Sequence, residues 1–433
     1  MMRALLLSLA AVPLLLAACK DDPDSQQYGP DPQLPAPQRG LLPTMTIAEP
    51  AEWGDRRPTV PQGYTITAIA SGLRIPRQTL VLPNGDILVA EGRGGSAPPL
   101  TPKDVLAGLI KARGTTPVAG GDRLTLLRDS KSQGAREGAW EQTVFADKLN
   151  APYGLALIGD SLYVANQDAL VRFDYKEGQT RASGPPVTVA SLPSQINHHW
   201  TKAMAASADG RFLYVGIGSN SNITERGMPA EADRAMVWQI DARTGAHRPY
   251  ATGLRNPSAL ATQPATGQVW AAVNERDEIG DNLVPDYITA VRDGGFYGWP
   301  YSYWGQTVDT RVRPQDPQKV ASAIRPDYSL GSHVAALGLA FSDPVMGPAF
   351  ADGVFVGEHG SWNRKVPVGY RVSFVPFRDG RPSGPPVDFV AGFRGTDGKT
   401  RGRPVGVTLD PKGALIVADD LSNIVWRVTP PRP

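Results

Sequence analysis

The sequence predicts an all-β fold, a six-bladed β-propeller of four-stranded antiparallel blades, and three observations lead there. An apolar strand, a tight turn and a second apolar strand recur six times along the chain. Further alternating apolar runs follow these pairs. A lone strand opens the domain, and the last repeat runs out of chain one strand short. Composition agrees: 41% hydrophobic and 20% charged residues suit a chain with a proper core, and 46 Gly with 41 Pro favour turns over long helices.

The paired strands are LVLPNGDILVAEG (80–92), LALIGDSLYVANQ (155–167), MAASADGRFLYVGIGS (204–219), LATQPATGQVWAAVNE (260–275), LAFSDPVMGPAFADGVFVGEHG (339–360) and VTLDPKGALIVADD (407–420). Asn84-Gly85, Asp209-Gly210 and Lys412-Gly413 supply the positive φ that tight hairpins need. Third strands follow in DALVRFDYKEG, AMVWQIDARTG, YRVSFVPFRDG and NIVWRVTP. Small sheets repeated in this way build propeller blades, each burying its faces against its neighbours. The sixth unit ends after NIVWRVT, so GYTITAIASGL (63–73) is expected to complete it, closing the ring and covering an open sheet edge. A two-sheet sandwich is the alternative, disfavoured by one unit repeating from 63 to 433.

Residues 1–19, MMRALLLSLAAVPLLLAAC, have one Arg, an apolar stretch and small residues at the end, the pattern of a bacterial export signal too short to span a membrane. Leu16-Ala17-Ala18-Cys19 resembles a lipobox, and Cys19 is the only cysteine in the chain. The expectation is an exported lipoprotein, lipidated at Cys19, held to the membrane by that lipid alone and facing the periplasm. An ordinary signal followed by a chance cysteine is the alternative. A single cysteine leaves packing, not disulfides, to hold the domain. Residues 20–62 carry nine prolines and little apolar periodicity, which predicts a mostly disordered tether. Net charge is +2 with no basic stripe, which argues against a nucleic-acid partner.

In a propeller, ligands sit where the loops of all blades converge. Those loop positions hold Arg77, His198-His199-Trp200-Thr201-Lys202, Arg255-Asn256, the run NERDEIGDN (274–282), GEHGSWNRK (357–365) with His359 and Trp362, and Arg401 with Arg403. Guanidinium and ammonium groups beside histidines and indoles suit a flat, multiply anionic ligand. The competing reading is that the arginines tie one blade to the next, and that the histidine pair merely edges a loop. Glu275, Asp277 and Glu278 are the oxygen donors that a hard cation takes.

GLRNPSAL (253–260), GGFYGWP (294–300), the hairpin after HHWTK and Arg401-x-Arg403 follow one another in an order that resembles the glucose/sorbosone dehydrogenases. These are six-bladed propellers that use pyrroloquinoline quinone. GEHGSWNRKVPVGYRV is more similar to the sorbosone and pyranose branch. The resemblance implies a dehydrogenase of a sugar or sugar-derived aldehyde. Arg255, Asn256, Arg401 and Arg403, with Lys202 and Trp362 nearby, would hold the quinone. The loop Glu275-Arg276-Asp277 would bind Ca²⁺, largely through backbone carbonyls, although soluble glucose dehydrogenase has Gly-Pro there. His199 matches the base that takes the substrate's hydroxyl proton, Lys202 depressing its pKa, with Arg77 beside the site. His359 competes for that role, and His247 and His333 keep structural readings. Electrons would leave to a membrane quinone or cytochrome. The rival classes are a Ca²⁺-dependent propeller lactonase and a non-catalytic binding propeller.

Overall fold

In a computed structural model, which describes residues 27–38, 40, 42–95, 97–130 and 139–431, six antiparallel sheets stand around a central channel. Blade 1 runs Pro76–Val81, Ile87–Glu91, Arg123–Asp129 and Trp140–Ala146; blade 2 runs Gly154–Ile158, Ser161–Ala165, Ala169–Asp174 and Val187–Ser191. Blade 3 begins with Met204–Ala206, blade 4 with Pro257–Thr262 and blade 5 with Ala336–Phe341. Blade 6 takes Pro404–Leu409, Leu415–Asp419 and Ile424–Thr429 from the end of the chain. Its fourth strand is Thr65–Ala70, antiparallel to Ile424–Thr429 with Thr65 opposite Thr429, which is the ring closure expected from the lone opening strand.

Each of the six sequence hairpins forms the two innermost strands of one blade. The second strands Ile87–Glu91, Val269–Val273 and Leu415–Asp419 are buried at every residue, because neighbouring blades cover both faces. That double burial is why they read as unbroken apolar runs rather than alternating ones. The innermost strands of adjacent blades pack backbone to backbone. At Gly338 of blade 5 any Cβ would run into the Val405 carbonyl of blade 6, so glycine is required there.

The expected disordered tether is not seen from Gln27 onward. Tyr28–Gly29 adds a strand to the outer edge of blade 4, and Gln38 N–H donates to the Ile279 carbonyl (2.8 Å). Farther on, Thr46 N–H donates to the Trp362 carbonyl (2.9 Å), and Ala51 and Thr59 bond Thr400 and Ala391 (2.8 Å each). Ala48 is buried, and Trp53 packs edge-on against Phe393 and Trp426 at 5.7 and 5.4 Å. The prolines misled because they rule out helix and regular ladder. An extended strap needs only isolated bonds from its non-proline residues, and proline lowers the entropy lost when it docks. The expected export signal, with Cys19, and residues 20–26 lie outside the described residues. No described helix is long and apolar enough to cross a membrane.

Trp53→Ala is expected to destabilise the propeller by about 3 kcal/mol, the low end for losing a packed tryptophan. Chemical denaturation measures it. A strap that merely lies alongside would leave the unfolding midpoint where it was.

Candidate active site

One end of the channel opens into a cavity of about 580 Å³, within the ~300–1,000 Å³ typical of ligand pockets. It is roofed by an insertion between the second and third strands of blade 1, whose helix Pro102–Arg113 lies across the loops. Local chemistry makes that helix: Thr101 caps Asp104 N–H (3.3 Å), and the Asp104 carboxylate returns a bond to Thr101 N–H (2.9 Å). Lys103 pairs with Glu278 of the facing loop, and Gly114 at the helix end accepts from Arg403 (3.3 Å).

His199 and Asn256 stand side by side in the wall, over Gly218, where a Cβ would strike both. The His199 Nδ1 faces the Ser219 carbonyl at 2.8 Å. A carbonyl only accepts, so Nδ1 carries the proton and Nε2 keeps its lone pair. Burial, then Arg255 and His198, pushes the His199 pKa well below the usual histidine value, so the ring is neutral at pH 7. His198, edge-on to it at 4.6 Å, is pushed down to about 4 by burial, Lys111 and Arg255. The Asn256 Oδ1 is buried without a hydrogen-bond partner among the described residues.

Arg255 is a clamp. Its Nε donates to the Asn222 carbonyl (3.3 Å) and its Nη1 to the Asn274 and Glu275 carbonyls (3.3 and 2.6 Å). Its Nη2 reaches the Asn222 Oδ1 (3.0 Å) and Asp277 Oδ2 (3.3 Å). All five guanidinium donors are thus spent on the chain, the blade-tying alternative rather than a free anion anchor. Asn222 is itself propped by Trp299 of the GGFYGWP stretch, whose Nε1 donates to the Asn222 carbonyl (3.0 Å).

The acidic loop is arranged around the same clamp. Burial opposes ionisation of Asp277, but the His333 hydrogen bond and Arg255 hold it down at about 2. Burial pushes Glu275 up to about 8 and Asp286 up to about 7. Arg276 points away into a buried ion pair with Asp309. Among the described residues no three His, Cys, Asp or Glu side chains converge to hold a metal. Of the carbonyls expected to bind Ca²⁺, that of Glu275 accepts from Arg255 (2.6 Å) and that of Asp277 from Asn222 Nδ2 (3.1 Å), so Glu275, Arg276 and Asp277 as arranged do not form the cage of six to eight oxygens that Ca²⁺ takes.

The remaining expected residues lie elsewhere. Arg77, His359 and Arg403 line a separate cavity of about 170 Å³ with Trp200 and Asp420. Asp420 ion-pairs with Arg77 and accepts from His359 Nε2 (2.9 Å), and Arg77 lies 5.5 Å from the ring centres of both Tyr153 and Trp200. Burial and Arg403 push His359 down to about 4. Arg403 donates to the His359 and Gly360 carbonyls (2.9 and 2.8 Å). Arg401 lines neither cavity and pairs with Asp397 (2.6 Å). Lys202 is fully buried on the Asn197 Oδ1 (3.1 Å) and Trp200 carbonyl (2.9 Å), away from both cavities, so the cations depressing His199 are Arg255 and Lys111 instead. Trp362 does line the large cavity, with the Lys111 ammonium 3.7 Å above its ring centre. His247 stacks on Trp238 at 4.2 Å outside it, whereas His333 reaches it, with Nε2 on the Gly280 carbonyl (2.9 Å) and Nδ1 on Asp277 (3.4 Å). Sequence reasoning missed Lys111, Asn222, Asp286 and the roofing helix; Thr101-Pro102-Lys103-Asp104 with Gly114 was a readable helix start and stop.

The channel mouth of this six-bladed propeller thus brings a neutral histidine, an unpartnered amide oxygen and an ammonium over an indole to one cavity. The chain belongs to the TrAA12-like family, which it matches over residues 121–288 and 305–430. Solved structures share the fold. The PQQ domain of pyranose dehydrogenase from Coprinopsis cinerea superposes with a TM-score of 0.68 at 21% identity, over 86% of this chain and 97% of that one. A calcium structure of carbohydrate-active enzyme family AA12 from Trichoderma reesei gives 0.68 at 17%, over 90% and 99%. PQQ-bound aldose sugar dehydrogenase from Streptomyces coelicolor gives 0.54 at 17%, over 86% and 99%.

The two raised carboxyls set a pH dependence. Unfolded, Glu275 and Asp286 ionise near pH 4, so up to about pH 8 the folded state keeps protons that the unfolded chain gives up, and stability falls as pH rises. His198 and His359, lowered, work the other way but only below about 6.5, the unfolded histidine value. From pH 6.5 to 8 these two carboxyls are therefore expected to lower the thermal midpoint; His333, raised against burial by its Asp277 bond, adds to the fall, and Lys202, lowered by burial, opposes it. Glu275→Gln with Asp286→Asn flattens that drop, and an unchanged slope in the double variant contradicts the assignment.

Proposed function

We propose that the chain is a quinoprotein dehydrogenase that oxidises a sugar or sugar-derived aldehyde, sorbosone- or pyranose-like, with pyrroloquinoline quinone as its cofactor. The observation that carries this reading is the His199 tautomer: a neutral imidazole with its free Nε2 in the large cavity, beside Asn256, Lys111 and Trp362. Such a wall fits a carboxylate-bearing ring system: an ammonium held over an indole for a carboxylate, and a buried oxygen lacking a donor. The names of the Coprinopsis and Streptomyces neighbours support the same cofactor and substrate class.

The quinone, when bound, supplies the acceptor for the two electrons and the hydrogen leaving the substrate carbon. His199 Nε2 takes the hydroxyl proton, and Ser219 holds the ring in the tautomer that allows it. Arg255 keeps the loops carrying Asn222 and Asp277 in register, and the roofing helix limits access of water. The Trichoderma calcium structure supports Ca²⁺ beside the quinone, and the loop Glu275-Arg276-Asp277 would have to release Arg255 and Asn222 to hold it. The electrons would pass on to a membrane quinone or cytochrome. Cys19 would carry the lipid that keeps the enzyme at the membrane, on its periplasmic side.

His199→Ala is expected to bind the quinone as the parent does and to lose turnover by roughly 10²–10⁴-fold, the usual worth of a general base. His359→Ala should leave kcat little changed, because His359 sits with Asp420 in the separate, smaller cavity. Dye-linked oxidation of a sugar panel measures both, and the reverse pattern would transfer the base role to His359. Cys19→Ser should move the protein from the membrane fraction to the soluble one. Its continued sedimentation with membranes would refute the anchor.

A further inference from the structure

The expected anchors for an anionic ligand are committed elsewhere. Arg255 spends all five donors on loop oxygens, Arg403 and Arg77 belong to the smaller cavity, Arg401 is paired with Asp397, and Lys202 is buried on two loop oxygens. Of the other cations lining the large cavity, Lys103 pairs with Glu278 and Arg226 donates to the Pro98 carbonyl. Lys111 differs. Among the described residues its ammonium has no hydrogen-bond or ion-pair partner, and its contact is the face of Trp362.

The backbone that delivers Lys111 is fastened on three sides. It lies in the last turn of Pro102–Arg113, where a cation is favoured by the helix dipole. One residue past that helix, Gly114 is held by Arg403 from blade 6, and Ile47 of the strap packs so closely on it that a Cβ would collide. Thr46 of the same strap bonds the Trp362 backbone (2.9 Å), so one segment positions both the indole and the lysine above it. An ammonium with three uncommitted donors, on a fixed stem that lines the cavity, can receive a carboxylate of a bound ligand.

We propose that Lys111, delivered by the roofing helix rather than by the ring, is the principal charged anchor of the cavity and binds a carboxylate of the planar quinone. The inference rests on the quinone reading above and assigns the anchoring role to an element outside the repeated blades.

The test titrates the full chain with pyrroloquinoline quinone and with its uncharged trimethyl ester, following tryptophan fluorescence. Lys111→Met keeps the aliphatic stem and helix propensity, and Lys111→Arg restores the charge. The parent is expected to bind the acid far more tightly than the ester. Lys111→Met should weaken acid binding by about 10- to 100-fold, the loss expected for one charge-assisted hydrogen bond, and leave ester binding within threefold. Lys111→Arg should recover most of it. Circular dichroism and the thermal midpoint check that Lys111→Met is folded; if it is not, the Lys111→Gln variant takes its place with the same expected losses. Equal acid affinity in parent and folded variant overturns the anchor while leaving the quinone reading intact. A parent that binds neither compound overturns both.

Discussion

The antiparallel ladder between Thr65–Ala70 and Ile424–Thr429 is the constraint on which the other contacts depend. A propeller blade buries its two faces against two different neighbours, so six blades in an open row would leave two large apolar faces in water. Joining the start of the domain to its end removes both, and it does so with backbone bonds that any side chain permits. The glycine contacts between innermost strands, such as Gly338 against Val405, are possible only once the ring is closed to that diameter. The strap from Gln27 then lies across the finished ring, with Trp53 covering Phe393 and Trp426 beside the seam.

Closure also concentrates charge. Loops from every blade meet at one end of the channel, where water is largely excluded and each cation or carboxylate feels its neighbours strongly. The structure answers by committing most charges to one another: Arg255 to Asn222, Asn274, Glu275 and Asp277, Asp420 to Arg77 and His359. Burial changes the protonation of others, paired or not, which is why Glu275 and Asp286 rise and His198, His199 and His359 fall. What stays uncommitted in the large cavity, chiefly His199 Nε2, Asn256 Oδ1 and the Lys111 ammonium, is what faces a ligand.

This division explains which site residues were legible. His199, Asn256 and Trp362 were found because each lies just before or just after a blade's inner hairpin, where the repeat places it at the channel mouth. Lys202 and Arg401 share those positions and were misjudged: a loop position puts the backbone at the mouth but does not choose the side chain's direction. Arg255 was located correctly and its availability was not, since counting its donors requires knowing where the Asn222 and Asn274 oxygens lie. Lys111 belongs to an insertion with no counterpart in the other repeats, so periodicity offered no reason to look there.

By itself the sequence determined the blade count, the innermost hairpin of every blade and the strand that closes the ring. These follow from local alternation and turn chemistry, which act over a few residues and repeat. Only the tertiary structure decided that the strap beginning at Gln27 docks instead of trailing, that the channel mouth is split into two cavities, and which cations are spent. Those outcomes depend on contacts between segments far apart in the chain, Thr46 with Trp362 and Arg403 with Gly114 among them, and no local pattern encodes such pairings.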